Sequence, residues 1–162
     1  MAWKLRDADR TLRLFITAFL LTVTAGYTIG FIFVDHTTSA TPAGISGEFR
    51  GDEGTASAPT GEMKFEKSPR EMYTFLHNHV FSLGILFFCV GAVFYGASMP
   101  ERLKRFLLVE PFLAIATTFG GVWLTRFVAP AFSWLVILSG VSMIACYAVM
   151  FTVIMKDLWF RR

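Results

Sequence analysis

Residues 131–155 read AFSWLVILSGVSMIACYAVMFTVIM and contain no charged side chain. An α-helix rises about 1.5 Å per residue, so a stretch of this length can cross the ~30 Å hydrocarbon core of a bilayer. Three more apolar stretches of similar length occupy residues 12–34, 73–97 and 106–128. With a mean hydropathy of +0.55 and 54% hydrophobic residues, they predict an integral membrane protein with four spans.

The predicted fold is an all-α membrane protein, a four-helix transmembrane bundle with up-down-up-down topology and an extracytoplasmic loop or hairpin between the first two helices. Its expected elements are helices at about 12–34, 69–97, 101–128 and 131–156 and an outer loop at 36–68. Because the remaining connections are short, residues 1–162 are interpreted as a single four-span membrane domain.

Basic residues predict the orientation of this bundle. They flank the spans in three groups: Lys4, Arg6, Arg10 and Arg13; Arg102, Lys104 and Arg105; Lys156, Arg161 and Arg162. All three groups fall on one side, which the positive-inside rule assigns to the cytoplasm together with both termini. We expect the lipid bilayer and other membrane-protein subunits as partners. No nucleic-acid partner is expected, because the net charge of +3 does not form a continuous basic face.

The loop between the first two spans contains two short alternating segments, at 45–50 and 62–67, which predict an antiparallel ribbon over the mouth of the bundle. The residues between them have turn composition and predict a flexible tip. Ser68, Pro69 and Glu71 then form the pattern of a capping box with proline at the first helical position. The second helix is therefore expected to begin outside the membrane.

The three histidines, His36, His77 and His79, are all placed at the outer interface by this topology. His77 and His79 lie about 200° apart on a helix, so only one can face the interior. His77 shares its face with Gly84 and Gly91, and glycines mark close helix approach, so His77 is the predicted inward residue. His79 is expected to reach a loop, a headgroup or a neighbouring subunit.

This arrangement predicts a cofactor site at the outer mouth, holding b-type haem or a transition metal. For haem, His77 is one axial ligand, His36 or His79 the other, and Arg126 the charge partner; for a metal, the ligands are His77 and His79. Lipid phosphate is the alternative partner of Arg126. The sequence leaves open whether any cofactor binds, and it offers no catalytic residue or signature that would settle whether the chain is an enzyme.

Small residues recur at helical spacing in three spans and predict packing seams. They are Ala18, Thr22, Gly26 and Gly30 in the first span, Ala114, Thr117 and Gly121 in the third, and Ser139, Ser142 and Cys146 in the fourth. Glu110 lies on the same face of the third span as Ala114, Thr117 and Gly121, and it precedes Pro111. Its carboxylate is expected to snorkel to the cytoplasmic interface, with proton or quinone chemistry as the alternative.

Several motifs resemble those of a functionally uncharacterised family of small bacterial four-span inner-membrane proteins. They are Gly47-Glu48-Phe49-Arg50-Gly51, Lys67-Ser68, Glu71-Met72, His77-Asn78-His79, Trp123-Leu124-Thr125-Arg126, Phe132-Ser133-Trp134-Leu135 and Ser139-Gly140. The resemblance covers most of the chain after the first helix. It implies the four-span fold and a location in the bacterial inner membrane, and it implies no activity.

Two functional hypotheses of different class follow. In the first, the bundle holds the cofactor at its periplasmic mouth and acts in membrane electron transfer. In the second, the chain is a non-catalytic accessory or assembly subunit of a larger membrane protein complex.

The orientation can be tested with reporters and labelling. A reporter fused after Arg162 should be active only as a cytoplasmic reporter, and a cysteine introduced as Ser57→Cys should react with an impermeant thiol reagent added from outside. The unmodified chain is the control, because its two cysteines, Cys89 and Cys146, lie within spans. Labelling at position 57 only after lysis would reverse the orientation.

Overall fold

The computed structural model describes residues 4–51 and 64–160, whose regular structure is all helical. Five α-helices follow one another: α1 Arg10–Thr38, α2 Pro42–Arg50, α3 Pro69–Tyr95, α4 Glu101–Phe127 and α5 Ser133–Trp159. Short 3-10 turns at Leu5–Asp7 and Pro130–Phe132 precede α1 and α5.

Four of these helices, α1, α3, α4 and α5, are long and apolar enough to cross a membrane. This confirms the predicted all-α, four-span fold. The end of α1, the short α2, the start of α3 and the end of α4 lie together, and we call this the α2 end of the bundle. The opposite end, where the chain starts and α5 finishes, is called the termini end.

The predicted ribbon between the first two spans is wrong, because residues 45–50 belong to helix α2. Thr41 caps this helix by accepting the Gly44 N–H at 3.0 Å, and Pro42 occupies its first turn. Ile45 and Phe49, one helical turn apart, are both buried against α3 and α4. Residues 62–63 and most of the predicted flexible tip lie outside the described residues.

The centre of the bundle is the antiparallel pair of α4 and α5. Thr118 and Ser139 share a buried hydrogen bond of 2.7 Å between their hydroxyls. A Cβ atom on Gly121 would lie 3.0 Å from the Val136 side chain, so glycine permits the close approach here. Gly121 and Ser139, one from each predicted seam, thus lie at the interface of α4 and α5.

The seam predicted on α1 behaves differently. Ala18, Thr22, Gly26 and Gly30 are all exposed, and a Cβ at either glycine would meet nothing within 4 Å. Only 11% of the most apolar window of α1 is buried, against 44% for α4. The expectation that this seam packs within the bundle is wrong, because α1 contacts the other helices through Ile16 and Leu20 on a different face.

The termini end is fastened by a buried carboxylate. Asp157, near the end of α5, is 1% exposed and accepts a hydrogen bond from the Ser98 backbone N–H in the turn between α3 and α4. The Leu5 N–H donates to the Gly96 carbonyl of the same turn at 2.8 Å. One turn of chain thus ties the N-terminal segment, α3, α4 and α5 together.

Asp157→Ala should therefore destabilise the bundle by about 1.5–3 kcal/mol, because it leaves a backbone donor without its charged acceptor. Asp157→Asn, which keeps an acceptor oxygen, should cost less. Unfolding midpoints in mild detergent measure both, with Asp7→Ala as the control, since Asp7 is exposed at the same end. Equal midpoints for Asp157→Ala and the unmodified chain would contradict this role.

Candidate functional sites at the α2 end and at mid-span

The start of α3 positions the two neighbouring histidines, and it is built as predicted. The Ser68 hydroxyl accepts the Glu71 N–H at 3.3 Å, and the Glu71 carboxylate accepts the Ser68 N–H at 2.8 Å. Pro69 occupies the first helical position. This confirms the capping box and places His77 and His79 in the third turn of α3.

His77 does not face the interior of the bundle, so the predicted orientation of this helix is wrong. His77 is exposed and its ring stacks on Phe81, which is itself 65% exposed. Farther along the same face, Phe88 is 68% exposed and a Cβ on Gly84 would meet nothing within 4 Å. The inward face of α3 is instead defined by the large side chains Phe87, Val90 and Phe94, which are fully buried. Gly91 is buried as well, and a Cβ atom on it would lie 3.3 Å from the Leu108 side chain, so Gly84 is the glycine of the predicted face that lies open.

His79 is exposed as well, and its ring contacts another helix. Its ring lies 4.2 Å from the Phe75 ring and 5.6 Å from the Phe119 ring of α4, measured between centroids. Its Nδ1 is 2.9 Å from the Phe75 carbonyl oxygen, which can only accept, so Nδ1 carries the proton. The ring is held in place, and Nε2 remains as an acceptor or ligand atom.

Arg126, the predicted charge partner of a cofactor, bonds to the segment that precedes α3. Its Nε donates to the Lys67 carbonyl at 2.7 Å, and its Nη2 pairs with the Glu66 carboxylate. Arg50 of α2 adds a second link, donating from Nη1 to the Thr125 and Arg126 carbonyls at 3.2 Å each. The Arg126 guanidinium thus holds the segment that precedes α3 against the end of α4.

Glu48 extends this network of charges. Its two oxygens pair with Lys64 at 3.1 Å and Lys67 at 3.3 Å. Lys64 also donates to the Thr37 carbonyl at the end of α1. Glu48 and Arg50, together with Lys64, therefore link α1, α2 and α4 to the residues that precede α3.

The third histidine, His36, is exposed in the last turns of α1. Within residues 4–51 and 64–160, no group of three or more His, Cys, Asp or Glu side chains converges as a metal would require. The predicted ligands His77 and His79 lie about 200° apart around α3, and their rings make separate contacts. The predicted haem or metal has no test in these contacts and stays a proposal.

A second polar site lies in the interior of the bundle, around Glu110. The Ser142 hydroxyl of α5 donates to Glu110 Oε1 across the helix interface. The expectation that this carboxylate snorkels to the interface is therefore wrong. The other oxygen, Oε2, is buried and has no hydrogen-bond partner among the described residues.

Side-chain hydroxyl groups from α1 and α5 lie near Glu110. Thr24, the central residue of α1, shares a 2.7 Å hydrogen bond with the Tyr147 hydroxyl of α5. Tyr27 lies 5.2 Å from the Tyr147 ring and 6.4 Å from the Phe87 ring, measured between centroids. The Tyr27 hydroxyl and the Cys146 thiol are electrostatic neighbours of Glu110. We call Thr24, Tyr27, Glu110, Ser142, Cys146 and Tyr147 the mid-span cluster.

The sequence signal for this cluster was a lone acidic residue inside an apolar stretch together with the Ser142 and Cys146 seam. The participation of Thr24, Tyr27 and Tyr147 had no such signal, because single threonines and tyrosines are common in membrane spans. Only the packing of α1 against α5 brings them to the same depth.

A family model described as a transmembrane helical domain matches residues 39–162. The chain belongs to this family. The match begins where α1 ends and covers α2 to α5, which is the part of the chain that contains the paired seams and Glu110. No curated protein and no solved structure matches the chain.

Proposed function

We propose that the protein is an accessory subunit that assembles with the transmembrane helices of a larger membrane complex. The observation that supports this is the small-residue face of α1, which is turned away from its own bundle. Gly26 and Gly30 form a GxxxG pattern, and neither glycine has a neighbour within 4 Å of an added Cβ. Against lipid such a groove has no packing advantage, whereas it allows another helix to approach α1 closely.

The rest of α1 is consistent with this assignment. The Thr22 hydroxyl donates to the Ala18 carbonyl at 2.9 Å, and the Thr28 hydroxyl donates to the Thr24 carbonyl at 2.8 Å. These hydroxyls are satisfied within the helix, so a partner helix needs no matching polar group. Beyond Gly30, Phe31, Ile32 and Phe33 are each more than half exposed and provide apolar area on both sides of the groove.

Gly26→Leu and Gly30→Leu should lower the amount of assembled complex several-fold without unfolding the bundle, because both sites have open space in the isolated chain. Gly140→Leu in α5 is the matched control, since its added side chain also meets nothing within 4 Å. The measurement is the native mass and subunit stoichiometry of the complex extracted in mild detergent. Equal loss in all three variants would contradict the proposal, and so would an unmodified chain that is found alone or only with its own copies.

In a second proposal, the α2 end binds b-type haem or a transition metal, and the protein acts in membrane electron transfer. It is supported by the held ring and free Nε2 of His79, the usual preparation of a histidine ligand. His79 replaces His77 as the leading ligand, with His36 as a further candidate from α1. Arg126 is already engaged with Lys67 and Glu66, so the proposal does not depend on it.

Under this proposal the purified protein should contain stoichiometric iron with a Soret band, or a stoichiometric transition metal. His79→Ala should abolish the signal, and His77→Ala should preserve it, because the His77 ring stacks on Phe81 on the other side of α3. Metal analysis and reduced-minus-oxidised spectra of the three samples provide the measurement. An unmodified protein with neither iron nor another transition metal would end the cofactor hypothesis, while the assembly test above is independent of it.

A further inference from the structure

The Glu110 carboxyl group lies within a span, about one third of the way along its helix. It follows the start of α4 at Glu101 by nine residues, about 13 Å along a helix about 40 Å long. Its contact with Ser142 turns the side chain into the α4–α5 interface. Ionisable groups at such depth are rare in membrane helices and usually belong to sites that carry protons or ligands.

The surroundings of Glu110 do not suit a permanent negative charge. Among the described residues, the ion pairs involve other acids, Asp7, Glu48, Glu66 and Glu101, and none includes Glu110. The Ser142 hydroxyl donates to Oε1, and the Cys146 thiol is a second neutral donor beside the carboxyl group, so neither contact supplies a positive charge. An ionised carboxylate in hydrocarbon costs several kcal/mol without a cation or a set of donors, whereas a carboxylic acid does not carry that cost.

Among the described residues, the side chains that these contacts place around Glu110 are neutral at physiological pH. α1 provides Tyr27, α5 provides Ser142, Cys146 and Tyr147, and α3 provides the Phe87 ring against the two tyrosines. The Pro111 ring follows directly and cannot donate to the backbone, so it leaves a carbonyl in the same region without its usual helical partner. Polar atoms are thus concentrated at this depth without compensating positive charge.

We propose that Glu110 is a proton-binding site in the interior of the membrane. The carboxyl group holds its proton in the closed bundle, and it exchanges that proton when water or a polar ligand reaches Oε2. One O–H bond breaks at Oε2 and one forms on the acceptor, with no other bond changed. Ser142 keeps its donor bond to Oε1 in both forms and so positions the group.

A hydrophobic carbodiimide tests this proposal on the full-length protein in lipid nanodiscs. Dicyclohexylcarbodiimide reacts with a protonated carboxyl group from the hydrocarbon side and leaves a stable acylurea, which mass spectrometry assigns to a residue. Labelling should occur at Glu110 and decline as the pH is raised. Glu110→Gln should remove it, and Glu101→Gln should not, because Glu101 is an exposed acid at the end of the same helix, paired with Arg105 at 3.4 Å.

Infrared titration provides a second measurement that does not depend on access of the reagent. The carbonyl band of a neutral carboxylic acid should be present at acidic pH, disappear on alkaline titration, and be missing in Glu110→Gln. Glu110→Asp should retain a titrating band, which shows that the loss in the glutamine variant is the loss of the carboxyl group itself. Identical infrared titrations of Glu110→Gln and the unmodified chain would overturn the proposal, as would labelling confined to exposed acids.

Discussion

The close pairing of α4 and α5 is the contact on which the remaining structure depends. In lipid the association of helices gains little from apolar burial, so it relies on fit and on hydrogen bonds between spans. Gly121 permits the fit and Thr118 with Ser139 supplies the buried bond. The other elements contact this pair. Helix α3 packs on α4, α2 packs on α4 and α5 at one end, and α1 contacts α3 and α5.

The two ends of the bundle are secured by different means. At the α2 end, Arg50 donates to carbonyls in the last turn of α4, which the helix end leaves without partners, and Arg126 donates to the Lys67 carbonyl before α3. At the termini end, Asp157 does the converse and accepts a backbone N–H. Arg126, predicted from the sequence to pair with a cofactor or with lipid phosphate, thus bonds within the chain.

The spans and the cap of α3 could be predicted from the sequence because each depends on local information. Twenty or more apolar residues must be helical in a bilayer, and at the start of α3 the side chains of Ser68 and Glu71 accept each other's backbone N–H groups within four residues. The predicted ribbon failed because Ile45 and Phe49 can be buried on one face by a strand or by a helix, and the cap at Thr41 decides for the helix.

The exposed position of His77 and the open position of the α1 glycines could not be predicted, because both depend on which helices contact each other. A glycine indicates that close approach is possible, and it does not say whether the partner belongs to the same chain. On α3 the inward face is chosen by Phe87 and Phe94, whereas Gly84 is left open. Orientation of a membrane helix is therefore a property of the assembled bundle.

Helix α1 carries the open glycine groove on one face and contributes Thr24 and Tyr27 to the mid-span cluster on another. Thr24 bonds to Tyr147 on the inner face, and Gly26, two residues on, lies about 200° around the helix on the open face. A helix that docked against Gly26 and Gly30 would thus press on the back of the helix that carries Thr24 and Tyr27. The open groove and the residues that α1 gives to the mid-span cluster thus lie on opposite faces of one helix, so the two proposals, assembly at the groove and proton exchange at Glu110, involve the same element.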